Sequence, residues 1–330
     1  MKKSIYIFSD GEIKRKGNTL YFEGEKGRKY FPVENVREIY LFGEVALNKK
    51  FLIFASQQEI ILHFFNYYGY YSGSYYPREH YNSGYMILKQ ADFYNHAENR
   101  LQLAQQFVIG AAANIQKVLA YYQNRGKSLK NVSTAIAALE KRLAAVKAVD
   151  ELMAIEGNIR DYYYSGFNAI LGKEKFHFDQ RSRRPPKSRM NALISFGNSL
   201  LYTTVLSEIY KTHLDPRIGF LHATNFRRFS LNLDVAEIFK PIVVDRLIFT
   251  IVNKNMLKIK DFEEKSGGVL LNENGRKLFV SEYDERLKAT IRHTRLKRNV
   301  SYRELIRLEL YKLEKHFLGE KVYEPFVARW

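Results

Sequence analysis

The pattern of apolar and polar residues changes character near residue 85. Before that point, short apolar runs alternate with polar residues at a period of two and end at turn residues, which is typical of β-strands. The pair Gly17-Asn18 separates two such runs and predicts a β-hairpin. A short helix is expected at residues 51–57, and a tyrosine- and glycine-rich loop at residues 66–76. Strands are predicted at residues 4–8, 12–16, 19–22, 29–32, 37–42 and 60–65.

After residue 85 the apolar residues recur at a period near 3.6, which predicts helices. The first is one long amphipathic helix that reaches Tyr122, and the last begins at the capping box of Ser301 and Glu304 and stops near Gly319. Between them, the turn pairs Gly267-Gly268 and Asn274-Gly275 predict a hairpin over residues 269–280. Further helices are predicted at residues 135–148, 200–210 and 241–254. The expected fold class is α+β, with a small β-rich domain at residues 1–85 and a larger, mostly helical domain at residues 86–330.

Composition narrows the class of protein. A chain of 330 residues with 46% apolar residues can bury a real core in one large or two modest domains. The chain has no cysteine, so disulfide scaffolds, zinc knuckles, iron–sulfur clusters and thiol nucleophiles are excluded. The first apolar run is too short for a signal peptide and no apolar run is long enough to span a membrane, so a cytoplasmic protein is expected. P-loop, dinucleotide-binding and hydrolase-triad motifs are absent from the sequence.

Charge points to a polyanionic partner. The net charge is +18. Residues 1–85 hold 12 basic and 9 acidic residues, a net charge of +3, so residues 86–330 carry the remaining net charge of +15. Neutralising nucleic-acid phosphates releases condensed counterions, so a basic folded domain is typical of a nucleic-acid binder. The helical domain is therefore the expected binding domain.

Three acidic residues and one histidine are candidates for chemistry. Asp234 and Glu237 lie three residues apart, on one face of a predicted helix, where a cation such as Mn²⁺ or Mg²⁺ would relieve their repulsion. His222, upstream, would suit Mn²⁺ as a further ligand. Glu156 lies on another predicted helix and precedes Gly157, and glycine inside a helix is consistent with close approach of a ligand or a second helix. The alternatives are acids that stabilise a helix N-terminus, a structural histidine and a solvated or ion-paired glutamate.

Basic and aromatic residues supply candidate contacts to DNA. The proline-containing loop at residues 180–189 carries a strip of cations suited to phosphates, although a solvated loop would show the same composition. A second basic run lies between residues 286 and 298, and Tyr162, Tyr163 and Tyr164 could stack on unpaired bases. The cations of the first loop are Arg181, Arg183, Arg184, Lys187 and Arg189, and those of the second run are Arg286, Lys288, Arg292, Arg295, Lys297 and Arg298.

Six motifs follow one another along the chain: Phe64-Phe65 with Gly69, Gly73 and Pro77-Arg78-Glu79; Gln90-Ala91 with Arg100, Leu103-Ala104 and Phe107-Val108; Glu156-Gly157-Asn158; Arg181 to Pro186 with Asn191 to Ser195; Gly219 to His222; and Asp234 to Glu237 with Lys240-Pro241. In this order, the motifs resemble the CRISPR-associated integrase of spacer acquisition, the "Cas one" family, over essentially the whole chain.

The resemblance implies residue roles and a reaction. Glu156, His222 and Glu237 match the family's metal ligands, and Asp234 matches an acid beside the metal. Glu237 stands where many relatives have aspartate, which leaves open whether Asp234 contacts the metal or lies behind a ligand. Ser195 and Asn198, with the arginine-rich loop, match segments near the DNA. In the implied reaction, Mn²⁺ or Mg²⁺ supports attack by the 3′-hydroxyl of a captured DNA fragment on a phosphodiester of the leader-proximal repeat. With water as the nucleophile, the same site would act as an endonuclease.

The resemblance also implies an assembly. The family forms homodimers, two of which are bridged by a smaller second adaptation subunit on double-stranded DNA. The residues by themselves leave two other functions open, a metal-dependent nuclease of DNA repair or recombination and a non-catalytic DNA-binding scaffold.

Overall fold

The chain folds into two units, at residues 1–80 and 81–330. The structure is a computed structural model that describes residues 2–77, 81, 83–224, 229–293 and 296–329. Strands dominate the first unit and helices the second, which confirms the predicted α+β class. Among the described residues, no helix combines the length and apolar character needed to cross a membrane.

The first unit contains two four-stranded sheets and one helix. One sheet has the order β1-β5-β7-β8, with β8 antiparallel to β7 and the other pairs parallel; the second has the order β4-β3-β2-β6. The elements are β1 (Lys3–Ile7), β2 (Gly11–Lys16), β3 (Thr19–Gly24), β4 (Gly27–Pro32), β5 (Val36–Leu41), β6 (Val45–Leu47), α1 (Lys49–Gln57), β7 (Ile61–Phe65) and β8 (Tyr71–Tyr75). Apolar residues of both sheets and of α1 form one core.

The predicted hairpin and the predicted loop of this unit have different outcomes. The β2–β3 hairpin is confirmed: Lys16 pairs with Thr19 across the turn, where Gly17 has a positive φ of 60°. The loop predicted over residues 66–76 is wrong in its second half, because β8 pairs with β7 from Phe65 to Leu62. Tyr and Ser residues in a glycine-containing segment thus form a strand once a neighbouring strand supplies hydrogen-bond partners.

The second unit is built mainly from helices, with two short hairpins. Its elements are α2 (Gly84–Asn95), α3 (Ala97–Gln123), α4 (Lys130–Glu140), α5 (Val149–Ser165), α6 (Phe167–Leu171), α7 (Arg189–Ile209), α8 (Leu231–Lys240), α9 (Arg246–Asn253), β9 (Phe262–Lys265), β10 (Gly268–Leu271), α10 (Glu273–Lys288), β11 (Thr290–His293), β12 (Arg298–Ser301) and α11 (Tyr302–Phe317). The capping box is confirmed at its first bond, since the Ser301 hydroxyl accepts from the Glu304 N–H at 3.1 Å.

Several boundaries differ from the sequence prediction. The periodic residues from Leu101 to Tyr122 lie on one long helix, α3, as predicted. A separate helix precedes it, because His96 has extended backbone angles and its ring contacts the Asp92 carbonyl at 2.8 Å, which closes α2. The hairpin predicted at residues 269–280 is also wrong. Strands β9 and β10 turn earlier, at Ser266 and Gly267, which both have positive φ. The Asn272 side chain then caps the first turn of α10 through the Gly275 N–H, at 3.0 Å.

The helices predicted at residues 135–148, 200–210 and 241–254 also have different bounds. The first lies earlier, as α4, and the second is the end of the much longer α7. The third is interrupted: a π-helical turn at Pro241–Asp245 joins α8 to α9. Proline has no N–H to donate into the helix ladder, which accounts for the wider turn directly after Lys240.

Candidate metal centre and nucleic-acid interface

Asp234 organises the segment that carries His222. Asp234 lies in the first turn of α8 and is fully buried. Its Oδ2 accepts from the backbone N–H groups of Phe220 and Leu221 at 2.5 and 3.1 Å. Its Oδ1 accepts from the His222 N–H at 2.9 Å and lies 2.8 Å from His222 Nδ1. Both carboxylate oxygens are therefore engaged by the loop before α8, and Asp234 lies behind His222.

The Asp234 contact fixes the chemistry of the His222 ring. An ionised carboxylate only accepts hydrogen bonds, so the imidazole must carry a proton on Nδ1 to bond with it. A neutral ring then has its lone pair on Nε2, the atom available to a metal. Although burial by itself lowers the pKa of His222, the hydrogen bond and the charge of Asp234 raise it above the usual value. A metal at Nε2 would compete with that second proton.

Glu237 lies one helical turn after Asp234 and is held by two buried cations. Arg160 Nη2 donates to Glu237 Oε2 at 2.8 Å, and Lys240 Nζ donates to Glu237 Oε1. The residue is 3% exposed. Burial by itself raises the pKa of this carboxyl, but the charges of Lys240, Arg160 and His222 lower it to about 2. Glu237 is therefore ionised at any physiological pH.

Glu156 is on α5, as predicted, and faces the same group. Its Oε1 lies 3.4 Å from Arg160 Nε, and its side chain is 20% exposed. Burial and the charge of Glu237 raise the pKa of Glu156, so the two carboxylates repel each other. At Gly157, a Cβ would meet no protein atom within 4 Å. No close approach by another described helix explains this glycine, which leaves open space next to Glu156.

The donors of this cluster are of the types that bind a divalent cation. Three carboxylates (Glu156, Glu237 and Asp245) lie beside two cations (Arg160 and Lys240), and burial raises the pKa of Glu156 and raises that of Asp245 to about 6. Two carboxylates and an imidazole Nε2 are donors that Mn²⁺ accepts, or Mg²⁺ with more retained water. Among the described side chains, no three His, Cys, Asp or Glu are grouped closely enough to hold one ion together. The donor types fit the cation, but the described side chains are not arranged closely enough to hold it, and Lys240 and Arg160 occupy the Glu237 carboxylate.

The arginine-rich loop divides into internal and exposed cations. Arg181 Nη1 donates to Asn191 Oδ1 at 2.9 Å and its Nη2 donates to the Ser195 hydroxyl at 3.0 Å, so Arg181 and Ser195 secure the loop to α7. Asn191 also accepts from the Ser182 N–H and donates to the Gln180 carbonyl. The interpretation of Arg181 and Ser195 as direct DNA contacts is thus not supported by their placement.

The remaining loop residues differ in exposure. Arg183 and Arg184 are exposed. Lys187, also exposed, donates to the Gly267 carbonyl at 2.8 Å, and Arg189 donates to the Lys175 carbonyl at 2.9 Å. Asn198 is 8% exposed on α7, and its side-chain oxygen has no hydrogen-bond partner within the part of the chain that is described. Arg183 and Arg184 are therefore the residues of this loop best placed to meet a phosphate backbone.

The described cations of the second basic run are exposed except for Arg286, and two of the three tyrosines are buried. Arg286 donates to the Ile242 carbonyl at 2.6 Å and lies over the Tyr302 ring, and Lys288 pairs with Asp284 at 2.6 Å. Arg298 pairs with Glu304, and Arg295 lies outside the described residues. Arg292 and Lys297 are exposed. Tyr163 and Tyr164 are buried and pack on Phe167, so the base-stacking hypothesis is wrong for them; Tyr162 is 47% exposed.

Sequence reasoning assigned no role to Arg160 or Asp245. Arg160 lies four residues after Glu156, a spacing that brings them together on one helix face. That spacing was a usable signal for the Arg160–Glu156 pair. The contact of Arg160 with Glu237 spans 77 residues of sequence and the contact with Asp245 depends on the π-helical turn, so no local pattern indicates either.

Comparison with known proteins extends over the whole chain. The family model of CRISPR associated protein Cas1 matches residues 5–285. The CRISPR-associated endonuclease Cas1 2 of Thermodesulfovibrio yellowstonii is 63% identical over 330 residues, which is 100% of each chain. A solved Cas1 protein from Thermotoga maritima is 51% identical, with a TM-score of 0.89 over 98% of this chain and 99% of that one.

Two more distant solved structures share the fold. A casposase bound to integration product is 20% identical, with a TM-score of 0.90 over 99% of this chain and 94% of that one. A chain of a Cas6-RT-Cas1–Cas2 complex is 18% identical, with a TM-score of 0.85 over 100% of this chain and 36% of that one. The resemblance found in the motifs is confirmed by the family model and the close relatives. This chain belongs to the CRISPR-associated Cas1 family.

Proposed function

We propose that this protein is the integrase of CRISPR adaptation, a divalent-metal-dependent DNA endonuclease and strand-transfer enzyme that inserts captured DNA fragments as spacers at the leader-proximal repeat. One observation carries the metal-dependent part: Glu156 and Glu237 repel each other beside a histidine whose Nδ1 is engaged by Asp234. The name of the 63% identical relative, an endonuclease, supports the class of reaction. The casposase with its integration product supports strand transfer on this fold.

The ligands of the cation, Mn²⁺ or Mg²⁺, would be Glu156, Glu237 and His222 Nε2. When bound, such a cation acts as a Lewis acid on a phosphoryl oxygen of the DNA. Asp234 keeps the proton on His222 Nδ1, which leaves the Nε2 lone pair for the cation, and in this proposal His222 acts as a ligand and not as a general base. Arg160 and Lys240 keep Glu237 ionised, as the depressed pKa of that carboxyl indicates. The nucleophile is the 3′-hydroxyl of a fragment in strand transfer and water in cleavage.

Double-stranded DNA would be held through its phosphates by exposed cations of the helical unit. Arg183 and Arg184 are the strongest candidates for this role. Lys187 and Arg189 donate to backbone carbonyls in exposed hydrogen bonds, so their positive charges remain at the surface. Contacts to phosphates position a duplex without reading its sequence, so binding is sensitive to salt and only weakly selective.

The active assembly consists of two homodimers bridged by a smaller second adaptation subunit, in the prokaryotic cytoplasm. Residues 1–85 supply the dimerisation domain in this proposal. The solved Cas6-RT-Cas1–Cas2 complex, one chain of which shares the fold, supports a partner of this kind.

Strand transfer into a leader-repeat plasmid, with the partner subunit and Mn²⁺, tests this function. Glu156→Ala, His222→Ala and Glu237→Ala should each abolish cleavage and transfer while DNA affinity stays within about threefold, because phosphate contacts dominate affinity. Glu151→Ala, at an exposed position on the same helix as Glu156, is the matched control and should keep full activity.

Three results would contradict the proposal. Activity in all three variants would show that these residues are not the catalytic site, and binding without any reaction in the unaltered protein would indicate a scaffold. Cleavage without joining of a 3′-end would instead indicate a nuclease of repair or recombination.

A further inference from the structure

Arg160 is the residue that contacts both carboxylates of the proposed metal centre. From α5, its Nη2 donates to Glu237 Oε2 at 2.8 Å and lies 3.5 Å from the Glu237 carbonyl, while its Nε lies 3.4 Å from Glu156 Oε1. Lys240, by comparison, contacts Glu237 through a single ammonium. The planar guanidinium fork therefore spans the two helices that supply the carboxylates, α5 and α8.

Burial restricts what Arg160 can do. The residue is 7% exposed, so its guanidinium is not presented to a DNA backbone. Burial by itself lowers the pKa of Arg160, but the charges of Glu237, Tyr164 and Asp245 raise it well above the usual value, and the group keeps its charge. Since arginine stays protonated in proteins, it cannot act as an acid or base at this site. The planar guanidinium of Arg160 can instead hold neighbouring carboxylates in a fixed orientation.

Asp245 places a further carboxylate close to the guanidinium. Asp245 Oδ2 lies 3.7 Å from Arg160 Nη1, and neither atom has a hydrogen-bond partner among the described residues. Asp245 is 2% exposed, and an ionic pair in such a place requires close compensation. The Arg160 fork therefore has an anionic acceptor available besides Glu237.

The π-helical turn explains how residues 237 and 245 reach the same guanidinium. In an unbroken α-helix, residues eight positions apart point about 80° apart around the axis, since each residue turns the helix by about 100°. The wider turn at Pro241–Asp245 rotates less per residue and so reduces that angle. Pro241 thus links an irregularity of the helix to the arrangement of the site.

We propose that Arg160 is a positioning residue for the metal centre, which holds the Glu156 and Glu237 carboxylates in place for a divalent cation while the Asp245 carboxylate lies next to its Nη1. This inference rests on the proposed metal-dependent function. When a cation binds the Glu237 carboxylate, Asp245 remains near the Arg160 guanidinium as a second carboxylate, so the buried guanidinium is not left without a partner.

Calorimetric titration of the full-length protein with Mn²⁺, in the absence of DNA, tests this role. Arg160→Lys keeps the charge and loses the fork, and it should weaken Mn²⁺ binding by about 10–100-fold, the usual effect of losing a residue that orients a metal ligand. Strand transfer by this variant should recover at high Mn²⁺ concentration, because the ligands themselves remain. Asp245→Asn should weaken binding in the same direction, and the double variant should bind no more weakly than Arg160→Lys, since Asp245 acts through Arg160.

The matched control is Arg303→Lys, in which the altered arginine also belongs to a buried ion pair. Arg303 Nε donates to Glu208 at 2.8 Å, with side chains 8% and 0% exposed. This variant should lose stability in metal-free thermal unfolding and keep its Mn²⁺ affinity. If Arg303→Lys weakens Mn²⁺ binding as much as Arg160→Lys does, the effect is one of general stability and the positioning role is wrong.

A Glu237→Gln titration separates failure of this inference from failure of the proposed function. Unchanged Mn²⁺ binding in Glu237→Gln would refute the proposed metal centre, and the proposed role of Arg160 would be refuted with it. Lost binding in Glu237→Gln, together with affinity in Arg160→Lys within about twofold of the unaltered protein, would refute the positioning role alone. Additive losses in the double variant would show that Asp245 does not act through Arg160.

Discussion

Substitution of Asp234 by asparagine tests how the loop and the metal centre are joined. The carboxylate accepts three backbone N–H groups and faces His222 Nδ1, and each oxygen serves two of these four groups. An asparagine keeps one oxygen and presents an NH₂ group in place of the other. If the NH₂ group faces the Phe220 and Leu221 N–H groups, two hydrogen bonds are lost in a fully buried place; if it faces His222, the backbone N–H loses its acceptor and the ring keeps its bond only by changing tautomer.

The magnitude follows from the count of lost bonds. Hydrogen bonds to a charged group contribute about 1.5–3 kcal/mol each, so the loss of one or two of them corresponds to about 1.5–6 kcal/mol of unfolding free energy. For a unit of residues 81–330, each kcal/mol shifts the melting temperature by roughly 2–4 °C, so Asp234→Asn should lower it by about 3–24 °C.

A second effect of this variant concerns the histidine. If the new NH₂ group faces His222, the ring must accept at Nδ1 and therefore carries its proton on Nε2, the atom proposed to bind metal. Mn²⁺ binding and cleavage should fall together with stability. The assays are metal-free thermal unfolding and Mn²⁺ titration, with Asp161→Asn, at an exposed position on α5, as the matched control that should keep the melting temperature and Mn²⁺ binding. A melting temperature within about 2 °C of the unaltered protein would refute the proposed organisation of the loop.

Two further predictions concern charge. Arg183→Glu with Arg184→Glu should weaken duplex binding and reduce the slope of log affinity against log salt by about 1–2, since each phosphate contact contributes about 0.9; fluorescence anisotropy over a salt series measures this, and an unchanged slope would exclude these arginines from the interface. The pKa of Glu237, lowered to about 2 from 4.5, contributes about 3 kcal/mol of stability above pH 4.5 that is lost as pH falls towards 2. Glu237→Gln should remove that part of the acid dependence in denaturant unfolding, and an unaltered profile would contradict it.

The strands of the first unit could be predicted because their signals are local. Alternating apolar residues and a Gly-Asn turn define β2 and β3 without any distant contact. Strand β8 could not be found in this way, because its glycine and serine residues are typical of loops and its formation depends on pairing with β7. The Asn-Gly pair at residues 274–275 shows a second limit: the same dipeptide suits a hairpin turn and the first turn of a helix, and only the cap at Asn272 decides.

The candidate site shows the same division between local and distant signals. The spacing of Asp234 and Glu237 placed both acids on one helix, and the order of motifs indicated Glu156 and His222. The spatial arrangement of these residues depends on contacts between residues far apart in sequence, such as that of Arg160 with Glu237. The roles of the two acids also differ: Asp234 holds backbone N–H groups, whereas Glu237 is held by cations, and i,i+3 spacing alone does not distinguish them.

The net charge of +18 overstates the surface that can bind DNA. Only cations that meet phosphates release counterions and contribute to the salt dependence. Arg160 is used within the site, Arg181 secures a loop, and Arg303 neutralises the buried Glu208. These arginines contribute to the net charge, but they do not contribute to the slope of log affinity against log salt concentration. A measured salt slope should therefore track the exposed cations, led by Arg183 and Arg184, and its value is a more direct measure of the DNA footprint than the composition from which a nucleic-acid partner was first inferred.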